Sequence, residues 1–133
     1  MKKLIVTVGL PKSGKSTWAK KQNLPIVSRD AIRLALHGER FIPVAEDMVR
    51  ILAHYMTKSL FLAGCTTVIL DECNITQKLR DKWMTSEWDT EFKIFYTSEN
   101  ICIKRAELEN DTVIIPIIKN MAKTADFFKK DKK

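Results

Sequence analysis

At 133 residues the chain has the length of one domain. That is enough to bury a hydrophobic core without disulfide or metal staples. Hydrophobic residues make up 45% and charged residues 29%, which argues against a disordered tail. No apolar run reaches the roughly 18–20 residues of a membrane helix. The net charge of +7 points to a negatively charged partner such as nucleic acid, a membrane surface or a nucleotide, with a merely soluble surface as the plainer account.

The chain alternates strand-like and helix-like stretches. Leu4 to Val8 is a short apolar, β-branched run, expected as a buried strand. It lacks the small-residue cleavage site that a signal peptide needs. Ser16 to Gln22 reads as a helix, Pro25 to Ser28 as a second strand, and Asp30 to His37 as a helix with Asp30 as its cap. Gly38 to Ile42 is a break. Pro43 to Ala63 is the longest expected helix, with Val49, Leu52, Ala53, Met56, Leu60 and Ala63 at three- and four-residue spacing and Gly64 at its end. Thr66 to Leu70 reads as a strand, Thr76 to Ser86 as a helix capped by Thr76, Phe92 to Tyr96 as a strand, Ser98 to Glu109 as a helix, and Pro116 to Phe128 as the last helix. A Lys-rich tail occupies 129–133. The order β-α-β-α-α-β-α-β-α-α predicts an α/β fold: one domain, 1–133, with a parallel sheet of four or five strands between helices in three α/β/α layers.

Three cysteines, at 65, 73 and 102, form no Cys-x-x-Cys pair, and His37 and His54 stand alone. A disulfide framework, a zinc site and a His-based triad therefore have little support, and a reducing, cytoplasmic setting fits.

Gly9-Leu10-Pro11-Lys12-Ser13-Gly14-Lys15-Ser16-Thr17 contains G-x-x-x-x-G-K-S, the P-loop or Walker A pattern, directly after a strand and opening a helix. In this pattern the backbone of Gly9, Pro11, Lys12, Ser13 and Gly14 cradles phosphate, with Thr17 at the helix start. Lys15 neutralises the β- and γ-phosphates, and Ser16 offers its hydroxyl to Mg²⁺. Val68 to Asp71 is an apolar strand ending in acid, as in Walker B, which makes Asp71 the second Mg²⁺ residue. Glu72 beside it is either a water activator or a solvated loop residue. Ser28-Arg29-Asp30-Ala31-Ile32-Arg33 follows the second strand, at the sheet edge where ligands bind in open α/β folds. Asp30 and Arg33 share a helix face; the carboxylate can take a proton from a hydroxyl and the arginine can fix an acceptor phosphate. The plainer account is a capping Asp with a surface ion pair. Trp18, Trp83 and Trp88 are candidates for base stacking or, more plainly, for packing.

The stretch Gly9 to Ala19 resembles the first motif of the polynucleotide 5′-kinases, and Arg29-Asp30-x-x-Arg33 is similar to their acceptor site. Leu70 to Thr76, through Arg80 and Trp83, is similar to their D-x-T-N motif and the helix after it, and Val113 to Met121 loosely resembles the helix after their lid. The resemblance implies an enzyme that moves the γ-phosphate of ATP, with Mg²⁺, to the 5′-hydroxyl of DNA or RNA. It implies Asp30 as general base, Arg33 as ligand of the acceptor's 3′-phosphate and Asn74 on the substrate side.

The sequence departs from the family in three places. Lys12 stands for a glycine, Cys73 for a threonine, and Glu107, Glu109 and Asp111 follow Lys104 and Arg105 where the lid carries arginines. Arg105 is then the arginine available to clamp the phosphates; a cation from another protomer, in a homo-oligomer, or slow transfer are the alternatives. Two other functions stay open: a P-loop kinase of a small hydroxylated metabolite, and a nucleotide-binding regulatory module or ATPase with weak transfer. Residues 1–66 hold 11 Lys and Arg against 4 Asp and Glu, while residues 67–133 hold 12 of each. The excess charge thus lies in the half with the P-loop and the Asp30/Arg33 pair, and a nucleic-acid 5′ end, not a membrane, is the expected partner.

Overall fold

The structure is a computed structural model that describes residues 1–129; residues 130–133 of the basic tail lie outside the described residues. Four parallel strands form the sheet: β1 (Lys3–Val8), β2 (Ile26–Ser28), β3 (Thr67–Asp71) and β4 (Asp89–Ile94), in the order β2-β3-β1-β4. The helices are α1 (Lys15–Lys20), α2 (Arg29–His37), α3 (Glu46–Leu62), α4 (Gln77–Asp81), α5 (Glu99–Leu108) and α6 (Ile114–Thr124). This is the expected α/β architecture, with four strands among the described residues.

Leu4 pairs with Val68 and Val6 with Leu70, so these four fully buried side chains share one face of the sheet. Val27, Val49, Ala53, Phe61 and Trp83 pack with them. Each buried Val, Leu or Phe among them contributes about 1.5–3 kcal/mol by leaving water. Ile69, also fully buried, has the opposite parity, and α1 contacts β3. A second cluster joins Val8 and Leu10 to Cys102 and Ala106 of α5 and to Ile114 and Ile118 of α6. Trp83 and Trp88 are core residues, and Trp18 stacks edge-on against Phe95.

Several expected boundaries shift, each for a tertiary reason. The cap of α2 is Ser28, whose hydroxyl accepts from the Ala31 N–H at 3.1 Å. Asp30 is not the cap, because β2 runs directly into α2 and leaves it in the first turn. Pro43–Ala45 forms a separate 3₁₀ turn before α3. Thr76 caps α4 as expected, yet the helix stops at Asp81. There the Trp83 carbonyl accepts from the Thr90 hydroxyl at 2.8 Å and from the Trp88 indole at 3.3 Å, outside any helix. β4 starts at Asp89 because its backbone pairs with Lys3, although Asp89, Glu91 and Lys93 are charged; they sit exposed on an edge strand, where charge deters further pairing. α6 ends at extended Ala125, and the chain docks back: the Asp126 N–H donates to the Ile75 carbonyl, and the Asp126 carboxylate accepts from the Gln77 N–H and Arg80. Among the described residues, no helix is long and apolar enough to cross a membrane.

Candidate active site

The strand order places the carboxyl ends of β2, β3 and β1 side by side, and the Asp30-x-x-Arg33 step, the Asp71 acid and the P-loop each follow one of them. The loop from Gly9 to Gly14 turns off β1. The Gly9 N–H donates to the Cys73 carbonyl at 2.9 Å, tying the loop to the end of β3. A side chain at Gly9 would meet Ser13 Oγ at 2.6 Å and Phe95 Cβ at 3.1 Å, so the turn admits none. Gly14 caps α1 at φ +105°, and Lys12 takes φ +70°, a left-handed conformation at the position where the resembled motif has glycine. For a non-glycine residue that geometry costs roughly 1–2 kcal/mol.

Lys15 is buried and turned across the loop; its Nζ donates to the Leu10 carbonyl at 2.7 Å and lies 3.4 Å from Ser13 Oγ. The Ser16 hydroxyl donates to Asp71 Oδ2 at 2.7 Å, so the two residues expected to share a metal meet because β3 adjoins β1. Pro11 and Ser13 lie within the loop, and Thr17 is exposed in the first turn of α1. The Ser13 carbonyl accepts from the Thr97 hydroxyl at 2.9 Å, which braces the loop from the far side.

Beside this loop, α2 presents Asp30 with its side chain 86% exposed and one carboxylate oxygen 2.8 Å from Arg33 Nη1. The rest of the Arg33 guanidinium is clamped by Glu46, with Nε to Oε2 at 2.8 Å and Nη2 to Oε1 at 2.7 Å. Arg29 joins Glu46 at 2.9 Å and Glu72 at 3.1 Å. The Arg33 guanidinium holds the Glu46 carboxyl below the usual carboxylate range, and Glu46 raises Arg33 in turn. Glu72 is buried, so it is not the solvated loop residue that one reading expected; desolvation pushes its carboxyl up despite Arg29 beside it.

The acidic segment after α5 is held down by cations. Lys12 Nζ contacts Glu109 at 2.6 Å and Asp111 at 3.1 Å, and Arg40 grips both Asp111 oxygens at 2.8 and 3.1 Å. Arg40 lies just past α2, so Asp111 links the end of that helix to the P-loop. These hydrogen bonds, Arg40 foremost, pull the Asp111 carboxyl down to about 2. A carboxyl depressed by folding stabilises above its unfolded pKa and loses that contribution as pH falls through the folded value. Asp111→Asn is therefore expected to lower the melting temperature by a constant amount at neutral pH. The gap to the wild type should close as pH is lowered toward 2, as read by circular dichroism melts.

Arg105 is set apart from the other described arginines. Arg29, Arg33, Arg40, Arg50 and Arg80 each pair with a carboxylate. Arg105 Nη1 instead donates to the Lys12 backbone carbonyl at 3.0 Å and lies 3.8 Å from where a Gly14 Cβ would sit. Among the described residues it is the arginine at the phosphate loop with no counter-ion.

Asn74 is buried, with Nδ2 donating to the Thr7 carbonyl at 3.2 Å and its own carbonyl accepting from Arg80. The structure thus buries it, while Asp30 stands in the open and Arg33 is mostly covered. Two supporting residues escaped sequence reasoning. Glu46 lies 13 residues beyond Arg33 with no local spacing to link them. Thr7 looked like an ordinary strand residue, yet its buried hydroxyl donates to the Glu72 carbonyl at 2.7 Å and accepts from the Glu72 N–H at 2.9 Å.

Known proteins share this fold. A chain from a Pnkp1/Rnl/Hen1 RNA repair complex superposes with a TM-score of 0.78 and 26% identity, over 99% of this chain and 46% of that one. A second structure of a Pnkp1/Rnl/Hen1 complex matches at a TM-score of 0.68 and 32% identity, over 78% of this chain and 38% of that one. This chain therefore spans less than half the length of either. A gluconokinase from Sinorhizobium meliloti 1021 shares the fold at a TM-score of 0.61 and 19% identity, over 96% of this chain and 77% of that one. The AAA domain family matches residues 4–110. With a P-loop on β1 and an acid at the end of β3, the chain belongs to the AAA domain family.

Proposed function

We propose that this domain is a kinase, which transfers the γ-phosphate of ATP to the 5′-hydroxyl of a polynucleotide. The observation that carries the reading is the Asp30–Arg33 pair: an open carboxylate and a guanidinium locked by Glu46, on the helix that leaves the sheet edge beside the P-loop. A hydroxyl needs a base, and an anionic acceptor needs a fixed cation. Likeness to chains from an RNA repair complex supports a nucleic-acid acceptor.

The loop residues Gly9 to Gly14 hold the donor phosphates through their backbone, and Lys15 turns from the Leu10 carbonyl to the β- and γ-oxygens. Asp30 takes the proton of the acceptor hydroxyl through the oxygen not bonded to Arg33, the acceptor oxygen attacks the γ-phosphorus, and the bond to the β-phosphate oxygen breaks. Arg105, free of a carboxylate partner, meets the charge that develops on the transferring group. The Ser16 hydroxyl and the Asp71 carboxylate are hard oxygen donors of the kind Mg²⁺ takes, and one or two protein oxygens are usual for that ion beside nucleotide phosphates. Bound there, Mg²⁺ would offset the negative charge of the nucleotide phosphates.

The test is a panel of acceptors with γ-labelled ATP: a 5′-hydroxyl oligonucleotide of DNA and of RNA, a nucleoside 3′-phosphate, and polyols including gluconate. Label on the oligonucleotide or the nucleoside 3′-phosphate is expected. Label on a polyol alone would replace this reading by that of a metabolite kinase, whose fold this chain also shares.

A further inference from the structure

The geometry points to a second nucleic-acid contact, a groove along α3 that takes the phosphates of a single strand downstream of the phosphorylated end. The inference rests on the polynucleotide reading above and adds a site to it.

Helix α3 starts at Glu46, the residue that clamps Arg33, so its first turn is anchored at the acceptor site. One turn on, Arg50 opens a hollow of about 300 Å³ that runs past His54 and Tyr55 to Lys58. Lys58 also lines a second hollow of about 130 Å³, together with Lys2, Glu87 and the apolar Phe61, Leu62 and Trp88. Lys58 thus stands between the two hollows, with Arg50 in the first and Lys2 in the second.

Arg50 and Lys58 are eight residues apart, two steps of i, i+4 on one helix face, or about 12 Å along the axis. A few nucleotides of extended strand cover that distance. The counter-ions present are weak: Arg50 meets Asp47 and Lys58 meets Glu87, both only at 3.5 Å, with Asp47 91% and Glu87 51% exposed. Pairs so long and so exposed hold their cations loosely, leaving them for phosphate oxygens.

The floor of the groove suits bases. Tyr55 is 64% exposed on the helix, and the His54 ring stacks on buried Trp83 at 3.9 Å between centroids and 5° between planes, which fixes the wall behind it. Burial and the nearby Arg50 and Lys58 hold the His54 imidazole below its usual pKa, so at neutral pH it serves as a surface and the charge comes from Arg50, Lys58 and Lys2. A cationic track with an aromatic side chain beside it is how proteins hold single strands without reading sequence. Charge complementarity therefore favours a polynucleotide over an apolar partner or a second copy of the chain.

The test uses the double variant Arg50→Glu/Lys58→Glu, with Tyr55→Ala as a second variant whose exposed site threatens folding least. Neither touches the phosphate loop or the Asp30/Arg33 pair. Two readouts separate the inference from the function it extends. The first is anisotropy of a fluorescent 5′-hydroxyl single strand titrated at several salt concentrations. Binding is expected to weaken about tenfold or more in the double variant, with the log–log salt slope falling by about 1 for each phosphate contact removed. The second is transfer kinetics: KM for the oligonucleotide should rise, while kcat and KM for a nucleoside 3′-phosphate, too short to enter the groove, should stay unchanged. Equal strand affinity in wild type and double variant overturns the groove, whatever the transfer assay shows. A folded double variant that loses activity on both acceptors alike also overturns it, as does a wild type that binds no strand. Groove-dependent binding without transfer to any nucleic-acid acceptor would keep the groove and sink the kinase reading instead.

Discussion

Asp30→Asn is expected to cut the rate of phosphate transfer by about 10²–10⁴-fold, the usual weight of a general base, while leaving nucleotide affinity intact. The amide keeps the size of the carboxylate and still accepts a hydrogen bond from Arg33 Nη1, so the constellation around Glu46 survives. The side chain is 86% exposed and caps no helix, because Ser28 does that, so the fold should not notice the change. What is lost is the capacity to take a proton. Single-turnover transfer from labelled ATP, paired with calorimetric titration of nucleotide, measures both halves. A variant as fast as the wild type would remove Asp30 from the chemistry and leave Arg33 as an acceptor contact only.

The second large effect is expected at Arg105. Arg105→Ala should lower kcat by about 10²–10³-fold, the scale for losing a donor aimed at developing charge. Its position allows a competing account, since Nη1 braces the Lys12 carbonyl and so the left-handed turn of the loop. The two roles part in the kinetics. An interaction made only in the transition state lowers kcat and leaves KM for ATP alone, whereas a loosened loop raises that KM. Arg105→Lys sharpens the contrast: it keeps a charge and a donor for the carbonyl but loses the planar fork, so it should mend a bracing defect better than a clamping one.

The charges around Arg105 account for the acids that follow α5. Acids at 109 and 111 looked like an obstacle to phosphoryl transfer. In the fold they are spent on Lys12 and Arg40, and Lys12 in turn occupies the left-handed position where the resembled motif has glycine. Lysine in the loop and acid after α5 thus offset each other, and Arg105 is left with its charge unspent.

Much of this was legible along the chain. The P-loop, the acid-tipped β3 and the Asp30-x-x-Arg33 step are local patterns: each needs only a strand followed by a turn, with residue types set a few positions apart. The strand and helix order followed from apolar periodicity for the same reason, since burial of one face repeats along the sequence. Boundaries fared worse wherever a distant partner intervened. β4 extends back to Asp89 only because Lys3 lies beside it, and α4 stops where Trp83 sinks into the core and gives its carbonyl to other side chains.

The sequence by itself therefore determined the frame, namely a G-x-x-x-x-G-K-S loop after the first strand and an acid at the end of the third, on a parallel α/β sheet. Only the tertiary structure decided which charges are free and which are committed. That Ser16 meets Asp71 depends on β3 adjoining β1, that Glu46 locks Arg33 depends on α3 packing against α2, and that Arg105 alone among the described arginines lacks a carboxylate depends on how all of them fold. The physical reason is range. Residue type and spacing encode contacts within a turn or two, whereas an ion pair forms between groups brought together by topology, and its partner can stand anywhere in the chain.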